Sequence, residues 1–263
     1  MAFAAGVAGR YCGYVERTTA PLRRSEAANG EVTVIVSFGP RILVDGERHG
    51  SFVAGPSDAP AMTEHDGVQH GVELNLTPPV ARRLFGVPMH ELFNRVVPLG
   101  DVLGGEELAE RLYEAPGWAA RFALLDAELG RRLEAAPPSH PAVQAAYARL
   151  VATRGAVPVG VLAADLGWSR RHMAARFRDE VGVSPKALAR LLRFEHALEL
   201  LGTRPLADVA YESGYYDQAH FNRDFREFAG ATPSELLARR LPDAGGVAAE
   251  MVPSVQDAPA LAA

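Results

Sequence analysis

Residues 162–236 carry one pattern twice, and that duplication constrains the fold more than any other feature of the chain. Met173 and Phe221, Phe177 and Phe225, Gly182 and Gly230, and Ser184-Pro185 and Thr232-Pro233 are each 48 residues apart. Upstream, Leu162 and Val209, Ala163 and Ala210, and Gly167 and Gly214 are 47 apart, so one residue has been inserted near Tyr215-Tyr216. Each copy reads as a short helix, a glycine turn, a capping residue (Ser169, then Asp217) and a second helix carrying arginines. That order is a helix-turn-helix, in duplicate.

The second helix of each copy has an inner and an outer face. Met173 and Phe177, one turn apart, must point at the first helix of their unit. At about 100° per residue the opposite face carries Arg171, Ala175 and Arg178, with Ala174 at its edge. The second copy presents Ala219, Arg223 and Arg226, with Asn222 at the edge and Gln218 in the first turn. These residue types suit base edges: Arg donates twice to guanine, Asn and Gln pair with adenine, and Ala meets a thymine methyl. In this motif the helix N-terminus enters the major groove, which favours Arg170, Arg171, Gln218, Asn222 and Arg223 for bases. Arg178 and Arg226, further along, are placed for phosphates. One surface arginine is usually a solvated charge, but equivalent placement in both copies shifts the balance toward DNA.

Trp168, Phe177, Tyr215, Phe221 and Phe225 recur at core positions and are read as packing, not base stacking. His172 and His220 sit beside that core as buttresses or phosphate contacts, not metal ligands. Between the units, residues 187–201 form an apolar-faced helix closed by Gly202, a spacer that sets the separation of the recognition helices. Helices about 34 Å apart would read two successive major-groove segments from one chain, so dimerisation is not required.

The net charge of -5 argues at first against nucleic acid, but the sign is uneven along the chain. Residues 156–241 hold 12 Arg and Lys against 11 Asp and Glu, and the remainder 15 against 21. A local basic patch is therefore what matters. The single cysteine, Cys12, excludes an internal disulfide and a four-thiolate zinc site, and it fits a reducing, cytoplasmic compartment. No stretch approaches a membrane span, the start does not read as a secretory leader, and nothing calls for a cofactor.

Residues 11–71 have the punctuation of β structure. Val32, Val34 and Val36 alternate with Thr33, Ile35 and Ser37; further strands are expected at 41–44, 51–54 and 68–76, which suggests a small β-sandwich or barrel-like domain. Helical spacing follows at 107–113 and 118–133, where the apolar stripe either packs on the β domain or forms a dimerisation surface. Ala135, Ala136, Pro137 and Pro138 begin a linker. The expected organisation is a β-rich sensor domain over 1–98, a helical connector over 99–140, a double helix-turn-helix over 141–241 and a disordered tail over 242–263. The fold class is α+β, a small β domain with helices followed by an all-α DNA-binding domain.

The run from Leu162 to Leu201, followed by Pro205 to Leu237, resembles the AraC/XylS family of bacterial transcription regulators across its whole DNA-binding domain. Gly214-Tyr215, Asp217, His220-Phe221, Arg223, Phe225, Gly230 and Thr232-Pro233 fall at that family's signature spacing. The resemblance implies two helix-turn-helix units joined by a helix, binding double-stranded DNA, and an N-terminal domain, similar to a cupin-like sensor, that senses a small molecule or dimerises. RNA polymerase is a further partner of regulators of this kind. Ala174 and Ala175 stand where longer polar side chains often contact bases, so the first unit is expected to discriminate less. The competing class is a cupin-like metal-dependent enzyme fused to a DNA-binding module. His49, His65 and His70 lie in the β region but at no ligand spacing.

Overall fold

Alternation along the valine-rich strand decides how the N-terminal half is layered. In the computed structural model, which describes residues 9–104, 107–239 and 250–253, that stretch is β3 (Val32–Ser37). Val32, Val34 and Val36 are at most 1% exposed, whereas Thr33, Ile35 and Ser37 turn to the other face. Around it lie β1 (Gly9–Arg17), β2 (Leu22–Glu26), β4 (Ile42–Val44), β5 (Glu47–His49), β6 (Phe52–Ala54), β7 (Ala61–His65), β8 (Val68–Leu76), β9 (Val96–Pro98) and β10 (Glu250–Pro253). They form two antiparallel sheets, ordered β10-β1-β8-β3-β6-β9 and β2-β7-β4-β5. The long pairing of β1 with β8 sets the register, Tyr14 opposite Gly71 and Cys12 opposite Glu73. Gly71 must be glycine: a Cβ there would lie 2.3 Å from the Val36 carbonyl oxygen and 3.0 Å from the Tyr14 hydroxyl.

The apolar face of the larger sheet is covered by α1 (Pro78–Phe85), α2 (Leu99–Leu103), α3 (Glu107–Glu114) and α4 (Trp118–Ala135). Leu112, Leu125 and Leu129 reach 0–1% exposure and share one core with Val32, Val34, Val72 and Leu74. Each such leucine contributes about 2 kcal/mol of burial. The Tyr11 hydroxyl donates to Asp126, tying β1 to α4. The amphipathic stripe over 118–133 is thus spent on its own β domain.

The rest of the chain is helical: α5 (Pro141–Ala152), α6 (Val159–Asp165), α7 (Arg170–Val181), α8 (Pro185–Leu200), α9 (Leu206–Glu212), α10 (Gln218–Ala229) and α11 (Pro233–Arg239). α6 and α9 start 47 residues apart, and α7 and α10 start 48 apart, as the repeat requires. The first unit has its core of Leu162, Met173, Phe177 and Val181, closed by Val143, Ala146 and Leu150 of α5. The second is built from Val209, Tyr215, Phe221, Phe225 and Phe228. α8 serves both, giving Leu188 and Ala189 to the first core and Leu191, Phe194 and Ala197 to the second.

Several elements depart from the sequence reading. The helix between the units begins at Pro185, not Ala187, because Ser184 accepts from the Ala187 N–H and proline suits the first helical position. It ends at Leu200; Leu201 is extended, and Gly202 with φ of 86° lies beyond the cap. β2 escapes the sequence reading because it is exposed along most of its length and carries no alternation. The linker at 136–140 is pinned: Ser139 Oγ donates to the Pro79 carbonyl at 3.3 Å, and the His140 N–H donates to buried Glu180 at 3.0 Å. Of the stretch read as a disordered tail, residues 242–249 and 254–263 lie outside the described residues, while 250–253 add β10 to the open backbone edge of β1.

Candidate nucleic-acid interface

The two recognition helices are built alike from their ends inward. Ser169 Oγ accepts from the His172 N–H at 3.2 Å and Asp217 Oδ1 from the His220 N–H at 2.7 Å, the N-cap geometry that starts α7 and α10. Both close on a left-handed glycine, Gly182 and Gly230. Met173, Phe177, Phe221 and Phe225 are fully buried and fix the inner faces. In the second unit Phe221 and Phe225 meet edge to face at 4.7 Å, and Phe225 meets Phe194 of α8 at 5.0 Å. His172 packs edge-on to Trp168 at 4.7 Å and His220 to Tyr215 at 5.1 Å, so both histidines buttress the turns.

With the inner faces fixed, the outer faces follow. Arg170, Arg171, Ala175 and Arg178 of α7 are exposed and Ala174 is half-buried; Gln218, Arg223 and Arg226 of α10 are exposed and Asn222 is half-buried. Among the described residues none of the arginines at 170, 171, 178, 223 and 226 takes part in an ion pair. Paired arginines lie off these positions, among them Arg176 with Glu180 at 3.8 Å, and Arg190 with buried Asp224 at 2.8 Å and Glu227 at 2.7 Å. Hydrogen bonding to Arg190 holds the Glu227 carboxyl below the usual range. Internal carboxylates thus neutralise Arg190 and Arg176 and leave the outer cations of both helices to solvent.

Residues 162–239 match the helix-turn-helix domain family. This segment is an AraC-type helix-turn-helix domain. Over 77 residues the chain is 33% identical to an uncharacterized HTH-type transcriptional regulator of Staphylococcus aureus, covering 28% of this chain and 10% of that protein. Over 83 residues it is 37% identical to a probable bifunctional transcriptional activator/DNA repair enzyme AlkA of Mycobacterium tuberculosis, covering 31% of this chain and 17% of that one. The chain therefore spans a small part of these relatives. The whole architecture is similar to that of ToxT from Vibrio cholerae, with a TM-score of 0.52 at 11% identity over 87% of this chain and 98% of that one. A second structure of ToxT, bound to (E)-4-(8-methylnaphthalen-1-yl)but-3-enoic acid, gives a TM-score of 0.51 at 12% identity, with 87% and 98% covered.

Several contacts among the described residues dock the AraC-type domain on the β domain, and three of them bear on the recognition helices and α8. Arg82 of α1 lies 3.6 Å from Asp179 of α7. A Cβ on Gly182 would sit 3.1 Å from the Met89 carbonyl oxygen, so glycine with φ of 88° permits this approach. The third contact is the loop from Ala27 to Glu31, whose N–H groups alternate with its side chains. The Ala28 N–H donates to the Phe228 carbonyl at 2.7 Å, and the Gly30 N–H to Glu195 Oε1 of α8 at 2.8 Å. Burial, opposed by that hydrogen bond, and the nearby Glu31 and Glu199 push the Glu195 carboxyl up to about 7.

On its other side the same loop lines a cavity of about 740 Å³ between the two sheets, walled by Tyr14, Glu16, Thr33, Ile35, Phe52, Gln69, Glu73 and Asn75. Sequence reasoning singles out no ligand group in this region and misses these residues. The signal is present in β8, where Gln69, Glu73 and Asn75 alternate with Val72, Leu74 and Leu76.

Proposed function

We propose that this chain is a sequence-specific DNA-binding transcription regulator whose two recognition helices read adjacent major-groove segments of double-stranded DNA. The observation that carries the reading is one helix frame, capped and closed alike, that twice turns an unpaired cationic face outward. In the first turns, Arg170, Arg171 and Gln218 face base edges, followed by Asn222 and Arg223; Ala174 and Ala175 offer only methyl contact. Arg178 and Arg226 bind phosphates. Base discrimination is concentrated in α10.

The β domain is the sensor, its cavity the effector site, and the loop 27–31 the connection to the AraC-type domain. RNA polymerase and a second copy of the chain are the macromolecular partners in this reading. In this reading the chain acts by binding DNA and an effector. Genome-wide mapping of bound DNA followed by footprinting of purified protein tests the proposal. The expected result is two protected segments on one face of the duplex, centred about 10 base pairs apart. Absence of protection at every mapped site overturns it.

A further inference from the structure

The cavity between the two sheets has a wall chemistry that selects its occupant, and the choice of occupant rests on reading that cavity as the effector site. Two packed sheets ordinarily fill the space between them with apolar side chains. Here the larger sheet gives its valines and leucines to the helices and turns Thr33, Glu73, Asn75 and Gln69 toward the smaller sheet, leaving about 740 Å³ in the middle. That volume lies in the range of small-molecule sites, about 300–1,000 Å³.

The charges on the wall are unbalanced. Glu16 is 5% exposed and already engaged, accepting from Arg24 and lying 3.2 Å from His65 Nε2. His65 is 6% exposed, and its Nδ1 accepts from the Gly67 N–H at 3.2 Å, which puts the ring proton on Nε2. That Nε2 has no hydrogen-bond partner, because its approach to Glu16 lacks the angle for one. A buried donor whose nearest acceptor, Glu16, is misaligned therefore lies in the cavity lining. Glu73, half-buried on β8, accepts from Asn75 Nδ2 at 2.8 Å, and no Lys, Arg or His lies within ion-pair distance of it among the described residues. Its charge, behind desolvation, helps to push the Tyr14 phenol up. Glu26, Glu31, Asp45 and Arg95 line the cavity as well. The lining thus holds five carboxylates and two arginines, and one arginine is consumed by Glu16. Phe52, Ile35, Ile42 and Val44 supply an apolar side.

A carboxylate with no counter-charge in a cavity wall offers an arriving cation a charge-assisted hydrogen bond that no cationic side chain among the described residues competes for. We propose that the cavity binds an organic cation, a primary ammonium or guanidinium on an apolar body that also bears a hydrogen-bond acceptor. The cationic head is held by Glu73, the acceptor meets His65 Nε2, and the body lies against Phe52, Ile35, Ile42 and Val44. Asn29 and Glu31 line the same cavity, one residue away from the Ala28 and Gly30 N–H groups that hold Phe228 and Glu195, so an occupant lies next to both contacts with the AraC-type domain.

The test is thermal shift and calorimetry on the full chain without DNA. The probes are agmatine, spermidine, tryptamine and 5-methoxytryptamine, set against indole-3-propionate and decanoate. At least one amine is expected to raise the melting temperature, to lose at least tenfold in affinity in Glu73→Gln and to recover part of it in Glu73→Asp. The acids are expected to leave the melting temperature unchanged. If Glu73→Gln melts lower than the wild type without ligand, Ile42→Asp, which adds a carboxylate to the lining, is expected to tighten amine binding and Asn75→Ala, which removes the donor to Glu73, to change it; amine affinity unchanged in both overturns the assignment. Acids that bind in place of amines, with binding lost in the cavity-filling Ala54→Leu, overturn the cation assignment and leave the effector site standing. Amine binding that survives Glu73→Gln also overturns it. If neither class binds, both the assignment and the effector-site reading fail.

Discussion

The two helix-turn-helix units share a backbone plan and differ in what holds them. α7 is fastened by its C-terminal end to the β domain, through Arg82 and Asp179 at 3.6 Å and the close approach of Gly182 to Met89. Its buried Glu180 accepts from the His140 N–H, and its carboxyl is raised chiefly by desolvation. α10 is fastened to α8, where Arg190 pairs with Asp224 and Glu227 and lies 4.8 Å over the Phe228 ring. The first unit is therefore fastened directly to the β domain, and the second chiefly to α8 and to the loop 27–31. If the β domain is the sensor, as proposed, its signal would reach the first unit through that attachment and the second through Phe228 and Glu195 at the loop 27–31. The second unit also packs Ala28 of that loop into its own core, so both units touch the β domain, each through a different element.

The largest effect should show whether the two cores are equivalent. Phe225→Ala and Phe177→Ala each remove a fully buried ring and should cost about 4 kcal/mol in denaturant unfolding. A large difference between them would mean that one unit collapses around the cavity and the other does not. Next comes the contrast in fastening. Arg190→Ala strands Asp224, which is 1% exposed, and should cost about 3 kcal/mol. Arg82→Ala breaks a partly exposed pair and should cost less than about 1 kcal/mol. Equal losses would mean that the two units are held with equal strength.

For DNA, Arg223→Ala should weaken specific binding by about 1–3 kcal/mol and relax base choice locally, whereas Arg226→Ala should weaken all sequences and lower the salt slope by about one. Titrations on a panel of sites at several salt concentrations separate the two; a sequence-dependent loss for Arg226→Ala would reassign it. The N-caps are smaller: Asp217→Ala and Ser169→Ala should each cost about 1 kcal/mol in unfolding free energy.

The smallest effect is on pH. Glu195 in the folded chain holds its proton to about 7, above the usual carboxylate range, so the folded state binds more protons than the unfolded state between those values. Stability should fall as pH rises through that window and level off above 7, and Glu195→Gln should flatten the profile. A wild-type profile flat from pH 5 to 8 would show that the Gly30 contact leaves Glu195 ionised throughout.

The C-terminal half was legible because both signals needed there are local. Glycine turns, caps and the Met173/Phe177 and Phe221/Phe225 pairs declare themselves within 48 residues and repeat. The β domain was legible only where alternation was clean, as in β3 and β8. β7 hides its role because Ala61, Met62, Thr63 and Glu64 are all half-buried, and β2 because it is polar along an exposed face. The outer faces of α7 and α10 followed from helical period alone. The cavity required knowing that Thr33 and Glu73 face a second sheet rather than water, and strand pairing across about 40 residues is not written in either segment. The partners of Arg190 and Glu195 were hidden for the same reason, since nothing near them in sequence announces Asp224 or Gly30.

α8 contributes Leu188 and Ala189 to one core and Phe194 and Ala197 to the other within three turns. Neither unit can lose its hydrophobic core without uncovering part of the same helix. The two helix-turn-helix units should accordingly behave as one cooperative unit of local unfolding, with amides of α7 and α10 exchanging with solvent in a shared opening event. Evolution could then vary the outer face of one recognition helix freely while the stability of both remained a single, common quantity.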